Sequence, residues 1–132
     1  MDTNKPLRYG GVAKILLVAA MPKEEQELLP LFSEPPKKEV SPLGFKGWQG
    51  TTHKGQSLLL LTTGIGKVSA AVATAEAIRL FAPSLILNIG VSGTLSTSVE
   101  RGDIVVANWV CYHDAEPKSP MGKYRVTLCV IL

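Results

Sequence analysis

Three short apolar runs, each closing on small residues, constrain this chain more than any other feature. Residues 14–19 read KILLVA, residues 57–63 read SLLLLTT and residues 85–89 read LILNI. Unbroken hydrophobicity without polar alternation marks strands covered on both faces. Such strands need helices on either side of their sheet, so the pattern predicts an α/β fold. The segments between the runs supply candidate helices. Residues 23–29 read as a short helix, with Pro22 suited to its first position and acidic residues to its positive end. Val68, Ala71, Val72, Ala75 and Ile78 recur at helical spacing after Gly66, and Pro83 marks the exit. Pro30, Pro35 and Pro36 open a polar loop that carries Lys37 and Lys38. Residues 45–53 and 56–62 read as antiparallel strands about a Lys54-Gly55 turn, and Arg101-Gly102-Asp103 leads into a strand at 104–107. No internal repeat is present.

The totals narrow the class. With 132 residues the chain holds one domain with a core and is too short for two. Residues 1–12, with the Gly10-Gly11 pair, read as a disordered lead-in, and 13–132 as a single α/β domain. A hydrophobic fraction of 45% excludes global disorder. The net charge of +3 invites a nucleic-acid reading, but Lys37 and Lys38 are the only adjacent basic pair. No basic stripe interleaved with aromatics exists, so nucleic acid is not an expected partner. Cys111 and Cys129 sit in apolar runs without a CxxC motif and read as reduced, buried thiols. No His/Cys cluster has metal spacing. The polar N-terminus lacks a hydrophobic signal region. The apolar stretch 12–21 is interrupted by Lys14 and falls short of spanning length. The expectation is a soluble cytoplasmic protein without membrane contact.

Two glycine-bearing loops follow apolar strands, where open α/β sheets bind ligands. Gly64-Ile65-Gly66-Lys67 is not a Walker A loop, because Leu61 stands at the first glycine position and Val68 replaces Ser/Thr. Ser69 occupies the third glycine of a dinucleotide fingerprint, which leaves phosphate contact and a plain strand-to-helix turn both open. Gly90-Val91-Ser92-Gly93 fails as a nucleophile elbow, since Thr94 breaks the spacing, and no triad can be assembled. Glu25 and Glu27 read as a solvated helix start, and local pattern alone gives Glu24 the same reading. His53 reads as an exposed turn residue. The pair His113-Asp114 reads as a structural hydrogen bond ahead of chemistry.

Taken together and in order, four segments carry more information. These are Ala19-Ala20-Met21-Pro22-Lys23-Glu24-Glu25, Thr63-Gly64-Ile65-Gly66-Lys67-Val68-Ser69-Ala70-Ala71, Asn88-Ile89-Gly90-Val91-Ser92-Gly93, and Gly102-Asp103-Ile104-Val105-Val106 leading to Tyr112-His113-Asp114-Ala115. The set resembles the methylthioadenosine/S-adenosylhomocysteine nucleosidase branch of the nucleoside phosphorylase superfamily, over residues 14 to 116. The resemblance implies a central twisted mixed sheet flanked by helices, a homodimer, and hydrolysis of the N-glycosidic bond of a purine nucleoside, within nucleoside metabolism and methionine salvage. It implies no cofactor and no metal. Glu24 falls where the family keeps the glutamate that positions and deprotonates the attacking water. Met21 and Ile65 fall at positions lining the nucleoside pocket, and Val91, Ser92 and Gly93 on the loop beside base and ribose.

The chemistry agrees with that placement of Glu24. Breaking a ribosyl C–N bond builds oxocarbenium character, and the attacking water needs a carboxylate to take its proton. The phosphorylase branch carries Gly-Asp-Pro and an arginine after its first strand to hold phosphate. This chain has Ala20-Met21-Pro22-Lys23 there, which favours hydrolysis. Two departures stand out. Val91 replaces the hydroxyl or smaller residue of many members. The acid that protonates the purine and the glutamate that grips the ribose lie in the family's second half, which this sequence does not match. The expectation is an incomplete second half, with 117–132 as an unmatched tail whose apolar end either patches a sheet edge or drives aggregation. A truncated, non-catalytic binder of nucleoside or of a partner subunit is the alternative reading.

Overall fold

A computed structural model describes residues 14–110 and 124–131. The apolar runs become the centre of a five-stranded sheet. Strands β1 (Lys14–Ala19), β2 (Lys37–Val40), β3 (Lys46–Thr51), β4 (Ser57–Thr62) and β5 (Leu85–Asn88) lie in the order β2-β3-β4-β1-β5. β1 runs parallel to β4 and β5, with Leu16 opposite Leu59 and Ile86. β2, β3 and β4 pair antiparallel. The sheet is therefore mixed, as the family resemblance implies.

Side-chain alternation along β1 and β4 builds two cores. Leu16, Val18, Leu59 and Leu61 face helix α2 (Lys67–Phe81) and pack with Ala73, Ala77 and Phe81. Leu17, Ala19, Leu58 and Leu60 face the other side and pack with Leu28 and Phe32. Leu28 ends helix α1 (Pro22–Leu28), which continues as a 3-10 turn over Leu29–Leu31. Burying each such leucine contributes about 1.5–3 kcal/mol, which explains why the central strands tolerate so few polar residues.

Several elements differ from the sequence reading. Lys37–Val40 is a strand rather than loop, paired through Lys38 opposite Trp48. An edge strand with an exposed face tolerates lysines that hide its β character. β5 is only half buried, and among the described residues its one ladder partner is β1. Helix α2 forms as expected but turns Ala73, Glu76, Ala77 and Phe81 inward, while Val68, Val72 and Ile78 remain exposed. The stripe that marks this helix in the sequence is therefore not the face that packs. The strand expected at 104–107 extends to Val110 as β6 (Ile104–Val110). The apolar end of the tail forms β7 (Tyr124–Ile131), which pairs antiparallel with β6 in a separate two-stranded sheet and does not extend the larger one. The lead-in 1–12, Cys111, His113 and Asp114 lie outside the described residues.

Helix α2 closes on an unusual cap. Ala82 adopts the left-handed conformation at φ 48°, its N–H donating to Ile78 O at 3.0 Å, and Pro83 follows. Glycine normally fills that position because a Cβ crowds the backbone there. Ala82→Gly is expected to stabilise the fold by roughly 0.5–1 kcal/mol. Thermal denaturation followed by circular dichroism should show a Tm a few degrees higher; an unchanged or lowered Tm would argue that the cap is unstrained.

Candidate active site

The chain leaves β1 at Ala19 and enters α1 within three residues, so the first turn of α1 sits at the C-terminal ends of β1 and β5. Pro22 opens the helix and places Glu24 at its third position. There the Glu24 carboxylate folds back on the strand-to-helix junction. Its Oε2 accepts the backbone N–H of Ala20 at 2.9 Å and of Met21 at 3.0 Å. These charge-assisted bonds satisfy donors that a helix start otherwise leaves without partners. The other oxygen, Oε1, lies on the side of Gly90, 3.1 Å from where a Cβ on that glycine would stand.

A cavity of about 370 Å³ opens beside this carboxylate, lined by Met21, Glu24, Leu28, Ile89, Gly90 and Val91 among others. Its walls are mainly apolar; Lys23 and Glu27 also line it, and Glu24 is the carboxylate held in place by backbone amides. The volume lies in the ordinary small-molecule range of about 300–1,000 Å³. The structure thus brings together Met21, Glu24 and Val91. Ser92 and Gly93 continue from Val91 on an exposed loop and do not line the cavity. Ile65 is 79% exposed in the loop between β4 and α2 and does not line it either.

Gly90 is the close approach on which this arrangement depends. Gly90→Ala pushes a methyl group against a carboxylate already held by two amides, so Glu24 must give up one of those bonds or shift. The expected result is a loss of roughly 1–2 kcal/mol in stability together with reduced occupancy of the pocket by ligand. Chemical denaturation and ligand titration of the variant measure both, and wild-type values for each would mean that Glu24 relaxes freely.

Glu25 corrects the sequence reading of a solvated helix start. Trp48 Nε1 donates to Glu25 Oε1 at 2.6 Å, and the Thr62 hydroxyl donates to Oε2. This carboxylate ties α1 to β3 and β4 and so fixes the backbone that carries its neighbour, Glu24. No local pattern could reveal it, because both partners come from distant strands. The turn after β4 also acquires a structural explanation. Gly64 and Gly66 have φ of +81° and +110°, and the Ser69 hydroxyl donates to Thr63 O, closing the strand-to-helix turn with the chain's own groups. His53 is exposed in its turn, as expected.

Among the described residues no group of three or more His, Cys, Asp or Glu side chains is placed to hold a metal ion. No helix among them is long and apolar enough to cross a membrane.

The sequence profile of the Phosphorylase superfamily matches residues 14–127. The chain belongs to this superfamily. Among its relatives, the 5'-methylthioadenosine/S-adenosylhomocysteine nucleosidase of Hydrogenovibrio crunogenus is 38% identical over 112 residues, covering 85% of this chain and 47% of the relative. The Neisseria meningitidis nucleosidase of the same name, solved with methylthio-immucillin-A, superposes with a TM-score of 0.74 at 30% identity, over 86% of this chain and 52% of that one. The Colwellia psychrerythraea nucleosidase, solved with adenine, gives a TM-score of 0.75 at 31% identity, over 87% and 48%. The superfamily fold is thus shared, while the chain spans about half the length of the relatives it matches.

Proposed function

We propose that this chain carries the water-activating part of a purine nucleoside N-glycosidase of the methylthioadenosine/S-adenosylhomocysteine type. The observation that carries the reading is the pinned Glu24 carboxylate at the mouth of an apolar cavity, beside Met21 and Val91. The nucleosidase relatives support the substrate class. In the proposed reaction a water held by Glu24 attacks C1' of the ribose. Its proton passes to the carboxylate, its oxygen bonds to C1', and the electron pair of the C–N bond leaves with the purine. Met21, Ile65, Val91, Ser92 and Gly93 are proposed to contact the nucleoside, the last two and Ile65 from exposed loops that must close on it. The reading includes a homodimer in the cytoplasm, with neither cofactor nor metal.

The purine must gain a proton as it departs. The acid for this step, and the glutamate that grips the ribose, belong to the half of the family domain this sequence does not match. Without that acid the expected rate lies roughly 10²–10⁴-fold below that of a full-length relative. A second reading is a chain that binds nucleoside or a partner subunit without hydrolysis, with the apolar cavity beside Glu24 as its site. Phosphorolysis is less favoured, since Ala20-Met21-Pro22-Lys23 offers no arginine for phosphate.

The test is adenine release from methylthioadenosine by the purified 132-residue chain, with static light scattering for assembly state and calorimetry for binding. Slow release with measurable binding is the expected outcome. Binding without release moves the chain to the second reading. Neither, from a folded sample, would sink both.

A further inference from the structure

Helix α1 has seven residues, too few for a helix to hold itself in water, so its rotation against the sheet is set by what it touches. Leu28 is its one buried residue. A single apolar anchor at the C-terminal end leaves the first turn free to pivot, and the first turn carries Glu24. A second anchor lies on the same face, one turn back from Leu28, in Glu25. Three hydrogen bonds make this anchor part of a closed ring. Glu24 Oε2 accepts the N–H of Ala20 at 2.9 Å. Its chain neighbour Ala19 accepts, through its carbonyl oxygen, the N–H of Thr63 at 2.9 Å. The hydroxyl of Thr62, next to Thr63, donates to Glu25 Oε2, and the peptide bond from Glu25 back to Glu24 completes the circuit.

The ring thus runs through the end of β1, the end of β4 and the start of α1. Trp48 Nε1 holds the other oxygen of Glu25 from outside it, at 2.6 Å, so both oxygens of that carboxylate are engaged and its plane is fixed. One network orients both acids of the first turn, Glu24 toward Gly90 and the cavity, Glu25 toward the β3–β4 hairpin. We propose that Glu25 is a positioning residue for Glu24. By closing the ring it sets the direction of the Glu24 carboxylate, and so the place of the water that carboxylate holds. The inference rests on the nucleosidase reading for what Glu24 does, and on the ring for how Glu24 is held. Hydrogen bonds in a connected network reinforce one another, and misplacing a reacting group by about 1 Å costs about 10²-fold in rate. Loss of Glu25 therefore reaches turnover although Glu25 does not touch the substrate.

The test is amide hydrogen exchange on the full 132-residue chain, resolved by NMR and paired with adenine-release kinetics. Glu25→Leu opens the ring, and the amides of Ala20 and Met21 should then exchange at least about tenfold faster. Those of Leu16 to Val18, inside the β1 ladders, should change by no more than the loss of global stability requires. Thr62→Val opens the same ring with a side chain of equal shape and should give the same pattern, which keeps the test intact if Glu25→Leu fails to fold. Glu25→Gln should restore protection, since its oxygen can accept from Trp48 and its amide N–H can donate to the Thr62 hydroxyl. In adenine release, either open-ring variant should lower kcat by about tenfold or more, with KM within about twofold. Uniform or absent acceleration in the open-ring variants, or a Glu25→Gln chain as loose as Glu25→Leu, would overturn the proposal and leave a plain structural tie. An unchanged kcat would overturn it as well. A wild-type chain that releases no adenine would sink the nucleosidase reading instead, and the exchange comparison would still decide whether Glu25 holds Glu24 in place.

Discussion

Glu24→Gln is expected to reduce adenine release from methylthioadenosine by roughly 10²–10⁴-fold relative to the unsubstituted chain. The argument rests on what glutamine keeps and what it loses. Its amide oxygen can still accept the N–H groups of Ala20 and Met21, so the junction between β1 and α1 retains its cap. It cannot take a proton from water at neutral pH. Stability should therefore change little while turnover collapses, and calorimetric binding of the nucleoside should persist. Parallel measurement of release, thermal transition and binding separates the roles. Undiminished release would remove Glu24 as the base; a collapse of stability together with release would reduce it to a capping residue.

The second large effect is expected in the core. Leu60 is fully buried on β4 and belongs to the cluster with Leu17, Leu28 and Phe32. Leu60→Ala should destabilise the chain by about 2–5 kcal/mol, the sum of lost transfer energy and the cavity left behind. Against a total of about 5–15 kcal/mol for a typical domain, that is a large share. In urea the midpoint should fall by about 1–3 M. Leu80→Ala is the matched control, because Leu80 is 51% exposed and should cost under about 1 kcal/mol. Similar costs for the two would mean that the sheet does not form the core described above.

Much of this was legible before any coordinates. KILLVA, SLLLLTT and LILNI announce the buried strands because a strand covered on both faces has no solvent side on which polar residues could alternate. The glycine turns and Pro22 announce the junctions because few residues satisfy those backbone angles. Glu24 could be singled out only through the family resemblance, since a glutamate three residues into a helix is unremarkable by itself. Other features were hidden by construction. The lysines of β2 mask an edge strand, because its exposed face imposes no hydrophobic demand. The role of Glu25 depends on Trp48 and Thr62, brought to it by sheet registers that no local window contains. Glu76 was missed for a related reason. The more obvious apolar stripe of α2 points outward, so the glutamate's inward position emerges only from how the helix is rotated on the sheet.

The pairing of β1 fixes an order of assembly. The first strand of the sheet in the chain finds its neighbours in Ser57–Thr62 and Leu85–Asn88, far downstream, and both contacts are parallel. The β3–β4 hairpin closes over a handful of residues and gains its contacts at small entropic cost. During synthesis β1 must therefore wait, with its leucines uncovered, until β4 and β5 have both emerged. A strand buried at the centre of the finished fold is thus the one that spends longest exposed on the way there, and the rate of folding should be governed by its insertion.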